Sequence, residues 1–208
     1  MTRVLVVDYS NGNAASVLRA LESAGAEVTF SNDAREFERA EAIILPGVGH
    51  AGRAADFMRR NGMIEPLGEA AFERKVPVLG ICLGMQLMTD RLDEGDTEGL
   101  GWFGGRAVEL TVADRKRFKV PHIGWTLVDA PAREGSFAGQ AEPTPFYFCH
   151  KYEVVDVDAG VASASFDYES RRVAAIARGN ITGVQFHPEK SFDAGVSLFR
   201  SWLGKAAG

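Results

Sequence analysis

The stretch Val76-Pro77-Val78-Leu79-Gly80-Ile81-Cys82-Leu83-Gly84-Met85-Gln86 is an apolar run that passes through Gly-x-Cys-x-Gly into a helical pattern. This order predicts a buried strand, a sharp turn and a helix, the form of a nucleophile elbow. Small residues at Gly80 and Gly84 relieve the crowding of such a turn and leave the Cys82 side chain exposed at the carboxyl edge of a sheet. The partial positive charge of the following helix N-terminus favours a thiolate there. An inert buried cysteine at a strand end is the alternative.

Outward from this elbow, the first 90 residues alternate short apolar runs with amphipathic segments. The apolar runs are rich in branched residues, as in strands that are covered on both faces of a parallel sheet. We therefore predict a βα alternation and an α/β fold. The predicted strands are Val4–Val7, Val28–Phe30, Ala42–Leu45 and Val76–Ile81, and the predicted helices are Ala14–Ala24, Ala54–Arg60, Ile64–Arg74 and Met85–Arg91.

The second half of the chain shows short strand patterns joined by Gly, Pro and Asp turns, followed by one helical pattern. This predicts strands that are antiparallel in part and a last helix that docks on the sheet. We expect one doubly wound domain over residues 1–208, with a central, mostly parallel sheet flanked by helices and antiparallel strands added in the second half. The elements predicted here are strands at Arg106–Leu110, Lys119–Ile123, Phe146–Cys149, Tyr152–Val155, Ala162–Phe166, Val173–Ala177 and Thr182–Phe186, and a helix at Ala194–Trp202.

Composition narrows the possible functions. A length of 208 residues is typical of one domain. The chain has 23 Lys and Arg and 28 Asp and Glu, which gives a formal net charge of −5, and no segment concentrates basic residues. We therefore expect no nucleic-acid partner. The apolar runs are too short for a membrane span and the N-terminus is charged too early for a signal peptide, so we expect a cytoplasmic protein. The cysteines and histidines lack a metal-ligand spacing, and we expect neither metal nor cofactor.

A thiol nucleophile needs a base within hydrogen-bond reach, and the base needs a partner that holds its tautomer. The segment Gln185-Phe186-His187-Pro188-Glu189 offers both. A strand that ends at Phe186 delivers His187 to the carboxyl edge, and Pro188 turns the chain so that Glu189 can fold back onto the imidazole. A histidine at a strand end is often structural, but together with Cys82 these residues predict a Cys–His–Glu triad.

The turn Gly47-Val48-Gly49-His50-Ala51-Gly52 matches the Gly-x-Gly-x-x-Gly pattern of dinucleotide sites. We reject that interpretation, because the motif is not in the first βα unit and Glu69 and Glu73 fall inside a predicted helix. Backbone amides near Val48 and Gly49 can instead turn toward a developing oxyanion, as a second donor beside the N–H of Leu83. A tight turn that simply requires glycine is the alternative.

Taken together, Gly80–Gln86, Pro46–Gly49 and Phe186–Glu189 resemble the motifs of class I (triad) glutamine amidotransferases. Within that class the chain resembles glutaminase subunits of imidazole glycerol phosphate synthases, from about residue 4 to about residue 203. The segments that carry this second resemblance are Asp8-Tyr9 with Asn11-Gly12-Asn13, Gly95-Asp96-Thr97 with Gly99-Leu100-Gly101, Pro121-His122-Ile123-Gly124-Trp125, Tyr147–Tyr152 and Gly183–Ser191.

The resemblance implies that Cys82 attacks the carboxamide of glutamine, that His187 shuttles the proton and that Glu189 orients His187. It also implies a set of binding residues. These are Leu83, Gly47, Val48 and Gly49 for the oxyanion, and Gln86 and Glu94 for the substrate glutamine, with Asp93 as a second acid beside Glu94.

A partner is implied as well, a cyclase subunit with a (β/α)₈ barrel that forms a heterodimer with this chain. The cyclase would use the ammonia to make imidazole glycerol phosphate and AICAR, an aminoimidazole carboxamide nucleotide, in histidine biosynthesis. By the same resemblance, the interface lies at Asn13, Trp125, Tyr147 and Lys190. We expect weak activity from the isolated chain, because an unaccompanied glutaminase would waste glutamine.

Other functions stay open from the sequence. The same chemistry could serve another synthase, such as a nucleotide-sugar amidotransferase. An inactive scaffold that only activates a partner is the second alternative, although Cys82, His187 and Glu189 are all intact. A cysteine peptidase fits less well, because Gln86 and Gly47–Gly49 would have no obvious role in it. Cys149 and Lys151 depart from the more frequent Val-His-Ser or Val-His-Thr of the family.

Overall fold

The computed structural model describes residues 1–9, 14–130, 135–137 and 143–204. Within these ranges, nine strands form a central sheet in the order β2-β1-β3-β4-β13-β12-β11-β8-β9, and four form a smaller sheet in the order β10-β7-β5-β6. The strands are β1 (Arg3–Val7), β2 (Glu27–Ser31), β3 (Ala42–Leu45), β4 (Val78–Ile81), β5 (Arg91–Leu92), β6 (Thr97–Glu98), β7 (Gly104–Glu109), β8 (His122–Asp129), β9 (Thr144–His150), β10 (Tyr152–Val157), β11 (Ala162–Tyr168), β12 (Ser170–Arg178) and β13 (Ile181–Val184).

Six α-helices connect or flank these strands in the described residues. They are α1 (Ala15–Ser23), α2 (Glu36–Arg39), α3 (Ala51–Arg60), α4 (Ile64–Gly68), α5 (Leu83–Leu87) and α6 (Phe192–Gly204), with a π-helical stretch at Glu69–Glu73 and short 3₁₀ turns at Gly135–Phe137 and Pro188–Lys190. Of the described helices, none combines the length and the apolar character that crossing a membrane requires.

The first half of the central sheet is parallel and covered on both faces. Strands β2, β1, β3, β4 and β13 run in one direction. Val4 and Val6 of β1 belong to the core cluster that contains residues of α1 and α6. Leu5 and Val7 belong to the opposite cluster, with residues of α3 and α4. Because alternate residues of a strand point to opposite faces, helices cover both sides of the sheet, as predicted.

The second half of the sheet is antiparallel. From β13 onward the order β12, β11, β8 and β9 pairs antiparallel throughout. These strands match the predicted antiparallel additions. In the smaller sheet, β7 and β10 correspond to the strands predicted at Arg106–Leu110 and Tyr152–Val155. Strands β5 and β6 were not predicted, because they have two residues each and are too short to show an alternating pattern.

Two predicted elements differ clearly from the structure in their bounds. The strand predicted at Lys119–Ile123 is wrong in its bounds, since β8 starts after Pro121, which has no N–H for a ladder, and continues past Gly124 along its pairing with β9. The helix predicted at Met85–Arg91 stops at Leu87. The Thr89 hydroxyl donates to the Gln86 carbonyl at 2.8 Å, and Arg91 pairs in β5 instead.

The remaining boundary differences are smaller. The helix predicted over Ile64–Arg74 is α-helical to Gly68 and π-helical from Glu69, with the Arg74 N–H donating to the Glu69 carbonyl at 3.0 Å. The strand predicted at Thr182–Phe186 ends at Val184. This earlier end matters for function, because it releases the chain toward His187 at the edge of the sheet.

Candidate active site

The three motifs meet where three neighbouring parallel strands end. Strand β4 lies between β3 and β13 in the central sheet. The carboxyl end of β3 leads to Gly47–Gly49, that of β4 leads to Cys82, and that of β13 leads to His187. The Cys82 N–H donates to the Val184 carbonyl of β13 at 2.7 Å, which ties two of the strand ends together. The structure therefore brings together residues that lie up to about 140 positions apart in the sequence.

The turn at Cys82 is a strained elbow. Cys82 has φ 48° and ψ −99°, and α5 begins with the next residue. A Cβ on Gly84 would lie 2.0 Å from the Leu45 carbonyl oxygen, and one on Gly80 would lie 2.6 Å from the Gly84 carbonyl carbon. Both positions therefore need glycine for space, as the elbow pattern predicts.

The predicted exposure of Cys82 is wrong, however, because the residue is only 6% exposed and lies in a cavity.

The imidazole of His187 is buried and bound on one side. Its Nδ1 lies 2.8 Å from Oε1 of Glu189, and both side chains are almost fully buried. Its Nε2 has no partner with hydrogen-bond geometry among the described residues. Burial lowers the pKa of His187, but the charge of Cys82, followed by polar contacts with Cys82 and Glu189, outweighs burial and raises the pKa to about 10. The site thus favours the protonated form of His187.

A cavity of about 200 Å³ opens onto Cys82. All of the catalytic, oxyanion and substrate-binding residues predicted from the sequence line this cavity except Glu189, which contacts the Nδ1 atom of His187. The lining residues are Gly47, Val48, Gly49, Cys82, Leu83, Gln86, Glu94, Cys149, His150, Lys151, Tyr152, His187 and Lys190. The described part of the chain contains no group of three or more His, Cys, Asp or Glu side chains that could hold a metal ion.

The cavity carries charges of both signs. Glu94 lines it and accepts a hydrogen bond from the Ala51 N–H at 2.7 Å, whereas its neighbour Asp93 is exposed and lies outside the lining. Lys151 and Lys190 line other parts of the wall, with the Lys151 ammonium 3.3 Å from the Glu109 carboxylate and the Lys190 ammonium 5.9 Å from the Tyr147 ring. The Glu94 carboxylate in this small cavity complements the α-amino group of a free amino acid.

The proposed interface residues gather on an exposed aromatic face. Trp125 and Tyr147 are opposite each other in the pairing of β8 with β9, with ring centroids 5.9 Å apart, and the Lys190 ammonium lies 5.9 Å from the Tyr147 ring. The ring of Phe192 stacks on Trp125 at 5.5 Å and is 79% exposed. The fourth predicted interface residue, Asn13, lies outside the described residues.

Sequence reasoning missed three residues at or near the site. The fully buried Gln185 places its amide nitrogen 3.5 Å from Cys82 Sγ, and the Tyr9 hydroxyl donates to the Pro46 carbonyl. Both follow a central strand, so the rule that parallel strands present side chains at their carboxyl ends could have found them. No pattern marks Phe192, whose contact with Trp125 arises only in the folded chain.

Residues 5–202 match the family model for class-I glutamine amidotransferases. The chain belongs to this family. Among its relatives is imidazole glycerol phosphate synthase subunit HisH 2 of Pseudomonas aeruginosa, 38% identical, with 96% of this chain and 98% of the relative covered. The HisH subunit of Rhodopirellula baltica is 41% identical, with 95% of each chain covered. The predicted resemblance of this amidotransferase to that group of subunits is thereby confirmed.

Solved structures agree on the fold of this amidotransferase. PurLQS from Thermotoga maritima superposes with a TM-score of 0.77 at 21% identity, covering 99% of both chains. A glutamine amidotransferase from the same organism gives a TM-score of 0.68 at 16% identity, covering 99% of this chain and 97% of the other. The predicted α/β fold class is confirmed.

Proposed function

We propose that this chain is the glutaminase subunit of an imidazole glycerol phosphate synthase and works in the cytoplasm as a heterodimer with the cyclase subunit. It hydrolyses glutamine to glutamate and ammonia, and the cyclase uses the ammonia to make imidazole glycerol phosphate and AICAR in histidine biosynthesis. The observation that carries this proposal is the cavity in which Cys82 meets the His187–Glu189 pair. Relatives that bear this subunit's name are 38% and 41% identical to the chain.

The first half of the reaction forms a thioester. The Cys82 thiolate attacks the carboxamide carbon of glutamine, and the carbonyl oxygen becomes an oxyanion. The N–H of Leu83 and an amide of Gly47–Gly49 stabilise that oxyanion. His187, protonated beside Cys82, gives its proton to the amide nitrogen, so that the carbon–nitrogen bond breaks and ammonia leaves.

The second half releases glutamate. His187, now neutral, takes a proton from water, and the hydroxide attacks the thioester carbon. The carbon–sulfur bond then breaks and regenerates the thiolate. Glu189 holds Nδ1 of His187 throughout, so that Nε2 stays directed at the reacting groups. Glu94 and Gln86 hold the amino-acid part of the substrate, with the Gln86 amide nitrogen fixed by the Tyr152 carbonyl at 3.0 Å.

The partner would dock on the exposed aromatic face. Ile123, Trp125 and Leu127 alternate along β8 and are 60%, 48% and 58% exposed, so they share one face of the strand. Phe192 extends this apolar face. Large exposed apolar side chains that lie together are typical of protein interfaces, which supports an interface at Trp125, Tyr147 and Lys190.

The proposal is tested by glutamate release from glutamine in three mixtures: the chain alone, the chain with a purified cyclase subunit, and both with the cyclase's nucleotide ligand. We expect weak release in the first and a large rise in the third. Cys82→Ala should abolish release in all three. Full release by the chain alone would contradict partner activation, and unchanged release by Cys82→Ala would restore the scaffold alternative.

Substrate binding has a matched pair of variants. Glu94→Gln removes the carboxylate from the cavity wall, so we expect a higher KM for glutamine. Asp93→Asn removes the neighbouring exposed carboxylate and should leave KM unchanged. If KM rises for Asp93→Asn and not for Glu94→Gln, then Asp93, and not Glu94, binds the substrate amino group, and our assignment is wrong.

A further inference from the structure

Gln185 lies next to the nucleophile. It follows β13 directly, and because β13 pairs with β4, its side chain comes beside Cys82 at the end of β4. The Gln185 amide nitrogen is 3.5 Å from Cys82 Sγ, and the residue is 0% exposed. Its other amide atom, Oε1, is buried without a hydrogen-bond partner among the described residues.

This arrangement is costly for a purely structural residue. A buried amide oxygen without a partner loses its hydration and regains nothing, whereas an apolar side chain of the same size would avoid the loss. The interaction that the amide does make is with sulfur. A hydrogen bond from N–H to an ionised acceptor is stronger than one to a neutral acceptor, so the contact gains strength when Cys82 is a thiolate.

We propose that Gln185 is a further catalytic residue of this glutaminase, whose Nε2–H donates to the Cys82 sulfur and stabilises its thiolate. The inference rests on the proposed function only in that Cys82 is taken as the nucleophile. Gln185 transfers no proton, because the thiol proton goes to His187. The same N–H assists again when the carbon–sulfur bond of the thioester breaks and the thiolate leaves.

Other groups also act on Cys82, so the test must isolate the amide. His187 is the neighbouring cation, the buried hydroxyl of Tyr9 is coupled electrostatically to Cys82, and the Cys149 carbonyl oxygen lies 4.0 Å from Sγ. The titratable groups on the remaining cavity wall are Glu94, the Cys149 thiol, His150, Lys151, Tyr152 and Lys190. Substitutions at position 185 leave all of these in place.

The experiment measures alkylation of Cys82 by iodoacetamide as a function of pH, for the whole chain and for Gln185→Met and Gln185→Leu. Mass spectrometry of the Cys82 peptide separates its signal from that of Cys149. Both variants replace the amide by an uncharged apolar side chain of similar size, so they remove the N–H donor without adding a charge. We expect the midpoint of the pH profile to move up by about one pH unit, with roughly tenfold slower alkylation at neutral pH.

The direction of the shift decides the outcome. An unchanged midpoint in a folded variant would overturn the proposal, and so would a downward shift in Gln185→Met, since that would mean that Oε1 accepts from the thiol. Circular dichroism identifies which variants fold, and one folded variant is sufficient. Glutamate release by the unaltered chain is measured separately, so failure of the glutaminase assignment is distinguishable from failure of the role of Gln185.

Discussion

Tyr9 links the end of β1 to the turn Gly47–Gly49, which we propose as an oxyanion donor. The residue is 3% exposed, and its hydroxyl donates to the carbonyl of Pro46, directly before Gly47. Burial, reinforced by the charge of Cys82, raises the pKa of Tyr9 well above its ordinary value. The hydroxyl is therefore a neutral donor at any physiological pH and holds the start of the turn.

We expect Tyr9→Phe to lower kcat for glutamate release several-fold, because Gly47–Gly49 loses an anchor, and to lower the free energy of unfolding by about 1 kcal/mol. Tyr168→Phe is the matched control. It removes a hydroxyl that donates to the Lys119 carbonyl at 2.8 Å, outside the cavity, and should affect stability alone. Steady-state kinetics and urea denaturation measure the two effects. Equal losses of kcat in both variants would refute a specific role of Tyr9.

At the scale of elements, the elbow depends on close backbone packing between β4, α5 and the end of β3. A methyl group on Gly84 would lie 2.0 Å from the Leu45 carbonyl oxygen and 2.8 Å from its carbon, both backbone atoms. We expect Gly84→Ala to reduce the free energy of unfolding by about 2–3 kcal/mol and to abolish glutamate release. The displacement of α5 carries Cys82 and Leu83 with it.

Gly68→Ala is the control for that substitution. Gly68 lies in helix α4, and a methyl group there meets nothing within 4 Å. Alanine is the better helix former, so we expect a gain of about 0.5–1 kcal/mol and unchanged activity. Thermal denaturation of the two variants compares them directly. If Gly84→Ala keeps both the stability and the activity of the parent, the close contact between Gly84 and the Leu45 carbonyl does not restrict this position, and the prediction is wrong.

The pairing of β8 with β9 buries two histidines that face each other. His122 Nδ1 lies 3.1 Å from His150 Nε2, and the other nitrogens contact Thr126 Oγ1 at 3.0 Å and the Tyr152 carbonyl at 2.9 Å. Burial, with the charge of Arg172, lowers the pKa of His122 to about 4. Burial also lowers the pKa of His150 to about 3, against the opposing hydrogen bond to Tyr152.

Both rings are thus neutral in the folded protein, while the unfolded chain binds protons below pH 6.5. The contribution of these two histidines to the free energy of unfolding is therefore fully present above pH 6.5 and falls as the pH drops toward 4. We expect a loss of about 1–2 kcal/mol between pH 7 and pH 5, measured by urea denaturation. In His122→Phe the loss should be smaller. An equal loss in both proteins would contradict this origin.

His187 has the opposite pH dependence, because its pKa is raised. Its contribution to the free energy of unfolding is lost as the pH rises from 6.5 toward 10.

At the scale of the whole molecule, a chain of contacts joins the exposed aromatic face to the triad. Phe192 stacks on Trp125, which pairs with Tyr147 across β8 and β9. The Tyr147 carbonyl accepts from the His187 N–H at 2.8 Å, and the Tyr147 N–H donates to Ser191 Oγ at 3.0 Å. A partner that presses on this face therefore acts on the strand that positions His187.

Phe192 offers a way to separate docking from folding. Its φ of 47° is a left-handed conformation that favours glycine, so Phe192→Gly relieves backbone strain while it removes the exposed ring. We expect stability within about 1 kcal/mol of the parent and an affinity for the cyclase that is lower by at least about fivefold. Phe72→Ser, at an exposed phenylalanine that contacts Trp102 instead, should leave the affinity unchanged. Calorimetric titration measures both, and equal affinities for the parent and Phe192→Gly would exclude this face as the docking surface.

The sequence by itself determined the α/β alternation and the three motifs of the site. Ala42–Leu45 was predicted to the residue because a strand covered on both faces must be continuously apolar. Cys82 and His187 were recognisable because the glycine spacing around Cys82 and the sequence His187-Pro188-Glu189 are local signals. The carboxyl-edge rule then indicated that the two residues lie near each other, since parallel strands end on the same side of a sheet.

Only the tertiary structure decided how far apart groups on different elements lie. The burial of Cys82, the Gln185–Cys82 contact, the facing His122 and His150, and the stack of Phe192 on Trp125 all depend on strand order and register. A hydrophobic pattern specifies which face of its own element a residue occupies. It carries no information on which element covers that face, and for that reason these contacts and the two-residue strands of the smaller sheet escaped prediction.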